Sequence, residues 1–538
     1  MLDLPRERWT FTHALRRQAA ARGDETYCAF DDGRSLSYKT LDEQSNRLAA
    51  GLASLGIGPH DRVALIAPNS EEFLLTMHGV HKRRAVLVPI STELRGDFLT
   101  HQLSNCEPAL VVVHADHLST IAACWPSALT GGRTVVIGAG ERPAYRDFSE
   151  LLSAASVGDE AVLVPEGRDV ALILYTSGTT GRSKGVVMPH AHCFLFGALF
   201  ARALWLDAND RFLVTMPMFH VNALLMSLGA CLISGMRAEV VKRFSASRWL
   251  ADVRRSGATA TNALGVMPEF ILGQPPAPDD ATHSLRRMMA VPISKQWGAA
   301  FEARFGVQLI QVYGMTECNI VSIGDRADPL QPGCAGPIVA DHFDVAIRDP
   351  SSWERLPSGA IGEIVVRPHD PSCFMQGYFR MEAESAAAWR DGWFRTGDAG
   401  WMDERGRLHF VDRIRDTVRR RGENISSFEV EQVLNAHPDV AESAVVGVKV
   451  ADAGDEDEVK AVLVAARVGV TPEELVEWCR PRMPRHAVPR FIEFVSALEK
   501  TPTGKVRKQA LREAGVNAAT WDREAVERAR RPVDKGKP

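Results

Sequence analysis

Apolar and polar positions alternate between two periods along the first third of the chain. Apolar residues at helical spacing predict a helix over 12–21, and the same spacing returns at Leu41, Leu48, Leu52 and Leu55 until Gly56 and Gly58 stop it. Short apolar runs predict strands at 26–30, 35–38, 62–67, 85–89 and 109–114, with helices over 70–81 and 94–103 between them. Strand and helix in alternation imply a parallel sheet with helices on its faces, and ligands of such sheets bind beyond the carboxyl ends of the strands. From 346 to 410 the rhythm changes to short strands broken by Gly and Pro, Gly362 to Arg367 being the clearest. Beyond 414 the pattern predicts a strand at 418–421, a turn at Gly422, a helix over 427–434 and strands at 443–450 and 459–465. The acidic stretch 452–458 reads as a solvated loop, and the charged tail after about 523 is expected to fray.

Length changes this picture, because 538 residues exceed what one core usually holds. The expected fold is α/β. A large N-terminal domain, 1–413, contains layered α/β sheets with a small β-rich subdomain at about 330–413, and a small mobile α+β domain follows over 414–538. A net charge of -4 is ordinary for this size and leaves no electrostatic footprint for nucleic acid. The first residues lack the apolar core of a signal peptide, and no uncharged apolar run is long enough for a membrane span, so a cytoplasmic location is expected. Nine cysteines stand singly with no Cys-x-x-Cys, which fits reduced thiols better than a disulfide framework or a zinc site. The pairs His114/His117 and His190/His192 lack the spacing and carboxylate context of a metalloenzyme.

Chemistry enters after the apolar run 170–175. Thr176, Ser177, Gly178, Thr179, Thr180, Gly181, Arg182, Ser183 and Lys184 form a loop of small hydroxylated residues, glycines and one lysine, with a second apolar strand at 185–188. Backbone N–H groups freed by glycine, hydroxyl donors and a compact cation suit a phosphate. A Walker A loop needs Gly-x-x-x-x-Gly-Lys-Ser/Thr, and here Gly181 is followed by Arg182-Ser183-Lys184-Gly185, so that reading fails on spacing. The apolar strands on both sides argue against a flexible linker.

Four further stretches follow in order: Pro217-Met218-Phe219-His220, Tyr313-Gly314-Met315-Thr316-Glu317, the run from Gly392 to Asp398 that continues to Asp412-Arg413, and Pro502-Thr503-Gly504-Lys505. Together with Tyr175 to Gly185 they resemble the adenylate-forming superfamily of acyl-CoA synthetases, peptide-synthetase adenylation domains and luciferases. The resemblance implies an ATP-dependent acyl-CoA ligase that makes an acyl-adenylate and then a thioester. ATP would lie on Thr176, Ser177, Gly178, Thr179, Thr180, Gly181 and Lys184, with Tyr313 stacked on the base, Thr316 donating to phosphate, and Asp398 and Arg413 at the ribose. Glu317 would hold Mg²⁺ through a hard carboxylate oxygen. Lys505 would bridge carboxylate and α-phosphate, Arg415 would stand at a hinge where relatives have Asp or Lys, and Gly422 would border the coenzyme A channel. His220 would gate an acyl pocket formed with Asn222, Gly265, Met267, Met315 and Cys318. Arg419, Arg420 and Arg421 are open to two readings, contacts to coenzyme A phosphates or a basic surface turn.

Two features qualify the resemblance. Met288-Met289-Ala290-Val291-Pro292 puts bulk where relatives carry a glycine-rich turn beside adenine. Stretches 421–426, 324–326 and 520–524 look most like bacterial carnitine/crotonobetaine-CoA-ligase-like proteins, yet the pocket set offers no carboxylate or aromatic cage for a quaternary ammonium. A small to medium, mostly apolar or weakly polar carboxylic acid is the expected partner, over a long fatty chain or an amino acid, and a homodimer is left open. The alternatives are an adenylation enzyme loading a carrier-protein thiol and a non-catalytic protein that binds nucleotide or acyl-adenylate.

Overall fold

Side-chain oxygens set where the helices begin. Ser37 accepts from the Thr40 N–H and Ser70 from the Phe73 N–H, so helices Tyr38–Ser54 and Glu71–His81 start one residue after a serine that the apolar pattern had counted in the preceding strand or in the helix itself. Thr471 and Glu474 form a reciprocal capping box at helix Pro472–Cys479. The helix expected over 94–103 runs Gly96–Cys106, where Leu99, Gln102, Leu103 and Cys106 share its buried face.

The computed structural model describes residues 4–125, 132–138, 145–153, 161–176, 183–265, 267–295, 297–328, 330–414, 416, 418–420, 423–450, 457–500 and 506–530. They fall into two compact units: one of residues 1–293, 297–345 and 366–395, the other of 294–296, 346–365 and 396–538.

Two large sheets organise the first unit. The eight-stranded one has the order Gly377–Tyr378, Lys184–Pro189, Val170–Thr176, Val86–Pro89, Arg62–Ile66, Leu110–His114, Thr134–Ile137 and Arg146–Asp147. Its central strands are parallel, as the alternation predicts, whereas Lys184–Pro189 turns back antiparallel on Val170–Thr176. Thr176 and Lys184 thus stand paired at the carboxyl end of Val170–Thr176, the end where such sheets bind ligands. The seven-stranded sheet runs Gln308–Ile310, Arg287–Val291, Ala260–Leu264, Arg211–Val214, Arg237–Val240, Thr26–Phe30 and Ser35–Ser37. Met288 and Met289, the bulky departures from the family pattern, are both buried in this sheet. Helices His190–Ala203 and Gly229–Ser234 cross at Gly197 and Gly229, where a Cβ on Gly197 would stand 2.8 Å from the Gly229 carbonyl carbon.

Buried histidines pack in this unit without charge. Burial lowers the His81 and His192 imidazoles from 6.5 to about 4, with backbone hydrogen bonds opposing it at both. A folded-state value below the unfolded one means that the unfolded chain binds more protons between about 6.5 and 4, so stability falls as pH drops through that window. Each group contributes up to ~3 kcal/mol of this loss. The urea midpoint is expected to fall between pH 7 and pH 5, with the loss at pH 5 smaller in His81→Leu; an unchanged wild-type midpoint would contradict the assignment.

In the stretch expected to be β-rich the chain runs through strands Cys334–Pro337, Phe343–Arg348, Gly362–Pro368, Trp393–Met402 and Arg407–Arg413. The second unit then builds a four-stranded sheet, Val440–Lys449, Asp457–Ala465, Phe491–Phe494 and Trp521–Asp522, whose apolar face packs on Val430, Leu434, Leu475 and Val476. Two charged residues from stretches with a solvated reading, Arg420 and Glu458, are buried here. Arg420 (2 % exposed) pairs with Glu458 (5 %) at 2.7 Å, and Arg490 (4 %) with Asp522 at 3.2 Å. The acidic stretch thus ends inside a strand, and the middle arginine of 419–421 is an interior ion-pair partner instead of a surface contact. The tail expected to fray after about 523 forms helix Arg523–Arg530, held where Glu524 reaches Arg420 and Arg490. Among the described residues no helix is long and apolar enough to cross a membrane.

Candidate functional site

One helix fixes both ends of the glycine-rich loop. The Tyr175 hydroxyl donates to Asn105 Oδ1 at 2.6 Å, while the Ser183 carbonyl lies 2.9 Å from His101 Nε2 and the Ser183 hydroxyl accepts from Gln102 Nε2 at 3.2 Å. Asn105, His101 and Gln102 all belong to helix Gly96–Cys106. Thr176 and Lys184 face each other across the hairpin, and Gly185 is required by packing, because a Cβ there would stand 2.8 Å from Ile173 and 3.2 Å from the Tyr175 ring. Ser177, Gly178, Thr179, Thr180 and Gly181 lie outside the described residues.

The loop lysine connects to the predicted metal ligand through a residue that no motif pointed to. Strand Gly377–Tyr378 pairs with the hairpin, Tyr378 opposite Val186. Lys184 Nζ sits 4.7 Å from the centroid of the Tyr378 ring, and the Tyr378 hydroxyl donates to Glu317 Oε1 at 3.2 Å. The backbone carbonyl of Glu317 accepts from the Met375 N–H at 3.1 Å. Glu317 and Tyr313 are buried, at 5 % and 6 % exposure. Tyr313 belongs to the antiparallel pair Val312–Met315 and Asn319–Ile323, where Gly314 leaves room for the Asn319 carbonyl that a Cβ would strike.

His192 holds this turn from beneath. Its Nε2 lies 2.9 Å from the Thr316 carbonyl, its Nδ1 2.8 Å from the Cys373 carbonyl and 3.2 Å from Asn319 Nδ2, and Asn319 Nδ2 also donates to the His192 carbonyl. Each ring nitrogen faces a carbonyl oxygen, and a neutral ring, which matches the lowered imidazole, donates to only one of the two. Thr316 and Glu317 are thereby fixed by a buried hydrogen-bond network.

Tyr378 gives a test of this arrangement. Tyr378→Phe keeps the ring beneath Lys184 and removes the hydroxyl donated to Glu317. A hydrogen bond to a charged group is worth ~1.5–3 kcal/mol, so adenylate formation is expected to fall at least tenfold, with a raised Mg²⁺ requirement. Pyrophosphate release measured against Mg²⁺ concentration checks it, and wild-type kinetics would remove Tyr378 from the site.

Asn69 fixes the approach to His220, donating from Nδ2 to the Met216 and Val241 carbonyls and accepting from the Met218 N–H at 2.7 Å. His220 is half-buried, its ring edge-on to Phe219 at 4.5 Å. Asn222 opens a π-helical turn, Asn222–Leu228, and its Oδ1 accepts from Asn262 Nδ2 at 2.8 Å. Gly265 follows the strand that carries Asn262, adopts a φ of 57°, and precedes helix Met267–Leu272. Cys318 is fully buried and donates its N–H to the Met315 carbonyl. The proposed pocket residues thus come from three segments of the first unit.

In the second unit, antiparallel pairing sets Asp398 opposite Arg413, whose Nε lies 2.9 Å from Asp398 Oδ1. Asp412 turns to the start of helix Ser427–Asn435, accepting from the Ser427 hydroxyl at 2.7 Å and the Phe428 N–H at 3.3 Å. Arg415, Gly422 and Lys505 lie outside the described residues. Just after Lys505, Lys508 is anchored to Glu431 at 2.7 Å and to Ser427 at 2.6 Å. All nine cysteines are free thiols, and among the described residues no group of three or more His, Cys, Asp and Glu could hold a metal ion.

Sequence reasoning missed Tyr378, His192, Asn69 and Asn262. His192 was weighed only as half of a metal pair, and its signal was a histidine inside the apolar helix His190–Ala203. Tyr378 is 61 residues from Glu317 and carries no local signal.

Comparison with known proteins covers nearly the whole chain. Residues 15–379 match the family model of the AMP-binding enzymes, and residues 429–505 that of the AMP-binding enzyme C-terminal domain. A crotonobetaine/carnitine–CoA ligase of Salmonella paratyphi C is 33% identical over 504 residues, 92% of this chain and 97% of that protein. The crystal structure of the anthranilate CoA ligase AuaEII with anthranoyl-AMP superposes with a TM-score of 0.85 at 25% identity, covering 95% of this chain and 98% of that one. ATP-bound MatB from Rhodopseudomonas palustris gives 0.82 at 26% identity, covering 94% and 98%.

Proposed function

We infer that this chain, which belongs to the AMP-binding enzyme family, is an ATP-dependent acyl-CoA ligase acting on a small-molecule carboxylic acid. The observation that supports the reading is the link from Lys184 through Tyr378 to Glu317, which joins the lysine next to the glycine-rich segment to the carboxylate proposed to hold the metal. A carboxylate resists nucleophiles because of its charge and its lack of a leaving group. In the first half-reaction its oxygen bonds to the α-phosphorus of ATP as the α–β bond breaks and pyrophosphate leaves. In the second, the coenzyme A thiolate bonds to the acyl carbon and AMP leaves with the electron pair of the mixed anhydride.

Lys184 and the hydroxyls of 176–180 would bind the β- and γ-phosphates, Asp398 would accept from the ribose hydroxyls with Arg413 beside it, and Tyr313 would meet the base. One buried carboxylate fits Mg²⁺, which takes one or two carboxylates and completes its shell from substrate phosphates and water; a cage of several ligands is what is missing among the described residues. When bound, Mg²⁺ would supply positive charge that offsets charge on the polyphosphate. Lys505 would bridge the carboxylate and the α-phosphate during adenylation. Rotation of a domain over 414–538 about Arg415 would then withdraw it and bring Gly422 to the thiol channel of the 1–413 domain.

The relatives are CoA ligases by name, which favours coenzyme A over a carrier-protein thiol as acceptor. A panel of short, branched, cyclic and aromatic acids assayed with ATP and coenzyme A tests the reading. Pyrophosphate, AMP and acyl-CoA should appear in equal amounts. Pyrophosphate without thioester would instead point to a carrier-protein acceptor.

A further inference from the structure

The π-helical turn behind His220 carries a polar cluster with no charge. Ser227 donates to the Asn222 carbonyl at 2.9 Å, and Asn262 Nδ2 donates to Asn222 Oδ1 at 2.8 Å and to Ser227 Oγ at 2.9 Å. These three bonds use both N–H groups of Asn262 and the hydroxyl proton of Ser227. What remains is one donor group and one acceptor: among the described residues, Asn222 Nδ2 and Asn262 Oδ1 have no hydrogen-bond partner. Both side chains are more than nine-tenths buried, with Asn222 at 6 % exposure and Asn262 at 1 %. Buried polar atoms are nearly always paired, so a spare donor and acceptor on two bonded side chains fit a group that both accepts and donates, as a water or a hydroxyl does. π-Helical turns are themselves concentrated at functional sites.

Position decides what that ligand group belongs to. Asn222 stands two residues from His220, which is at the proposed acyl gate, and Asn262 lies on strand Ala260–Leu264, three residues before Gly265 of the same pocket. We propose that Asn222 and Asn262 form a neutral subsite that recognises a hydroxyl on the acyl chain of the substrate acid. The hydroxyl oxygen accepts from Asn222 Nδ2 and its proton goes to Asn262 Oδ1. A carbonyl or ether satisfies only Asn222, and an alkyl chain satisfies neither. A quaternary ammonium meets no negative charge in this cluster, so of the two polar groups that carnitine, one acid named for the Salmonella relative, carries beyond its carboxylate, the cluster suits the hydroxyl and not the trimethylammonium.

The proposal rests on the ligase reading, and one experiment separates the two. Short aliphatic and benzoic acids carrying a hydroxyl at each position are assayed as matched pairs with their unsubstituted counterparts, by pyrophosphate release and acyl-CoA formation. A site built around a hydroxyl rejects its absence strongly, so at least one hydroxylated acid is expected to exceed its partner in kcat/KM by about a hundredfold. In Asn222→Ala the ratio should fall to within about tenfold of unity, whereas a purely structural asparagine would lower both acids together and leave the ratio intact. Asn222→Asp keeps the shape, covering the case in which the alanine variant does not fold, and should move the ratio of a trimethylammonium acid to the hydroxy acid upward by about tenfold or more. Turnover of several acids with no hydroxyl preference above tenfold, or an unmoved ratio in Asn222→Asp, overturns the subsite and leaves the ligase reading standing. No pyrophosphate from any acid removes both.

Discussion

Lys505→Ala is expected to abolish adenylation while leaving thioester formation from a preformed acyl-adenylate close to wild type. In the first half-reaction negative charge moves from the acid to the bridging α-phosphate, and a lysine placed between them stabilises the transition state more than the separated substrates. Only such differential contacts raise the rate of the chemical step. Loss of one transition-state donor of this kind costs ~10²–10³-fold in kcat. In the second half-reaction the anhydride is already formed, no carboxylate remains to be neutralised, and domain rotation about Arg415 would carry Lys505 away. Supplying synthetic acyl-adenylate with coenzyme A, beside ATP with free acid, measures the two halves separately. Equal losses in both would show that the lysine stays in place throughout, and the two-conformation scheme would fail.

The parts of the fold legible in the sequence are those encoded within a few residues. Strands Arg62–Ile66, Val86–Pro89 and Leu110–His114 are short apolar runs, because a parallel strand covered on both faces has no polar side to show. The two apolar strands around the phosphate loop were readable as apolar runs too, but the antiparallel return of the second on the first was not. Contacts made across long separations were not. Glu317 meets Tyr378 only because a two-residue edge strand pairs with the hairpin, and Asn222 meets Asn262 across 40 residues of intervening chain. No periodicity carries either event. Arg420 and Glu458 misled in the opposite sense, since charged residues are rarely buried unless paired and these two partners are remote in sequence.

Glu317→Gln should produce a loss as large as that of Lys505→Ala but with a different signature. The substitution is nearly isosteric, the amide oxygen can still accept from the Tyr378 hydroxyl, and the backbone bond from Met375 is untouched, so the buried turn at Thr316 should keep its shape. What disappears is one negative charge at a buried position, where a carboxylate acts on a cation far more strongly than in water. Magnesium binds hard anionic oxygens and gives up its water reluctantly, so a neutral amide is a poor replacement. Adenylation is expected to fall by ~10²-fold or more at ordinary Mg²⁺ concentrations, the scale of one lost electrostatic contact in a transition state. Raising Mg²⁺ or supplying Mn²⁺ should recover part of it, which would not happen for Lys505→Ala. Thioester formation from acyl-adenylate involves no pyrophosphate and should be nearly unaffected. A variant that unfolds would lose its circular dichroism signal together with both half-reactions; one that stays folded with unchanged adenylation would remove Glu317 from the metal site.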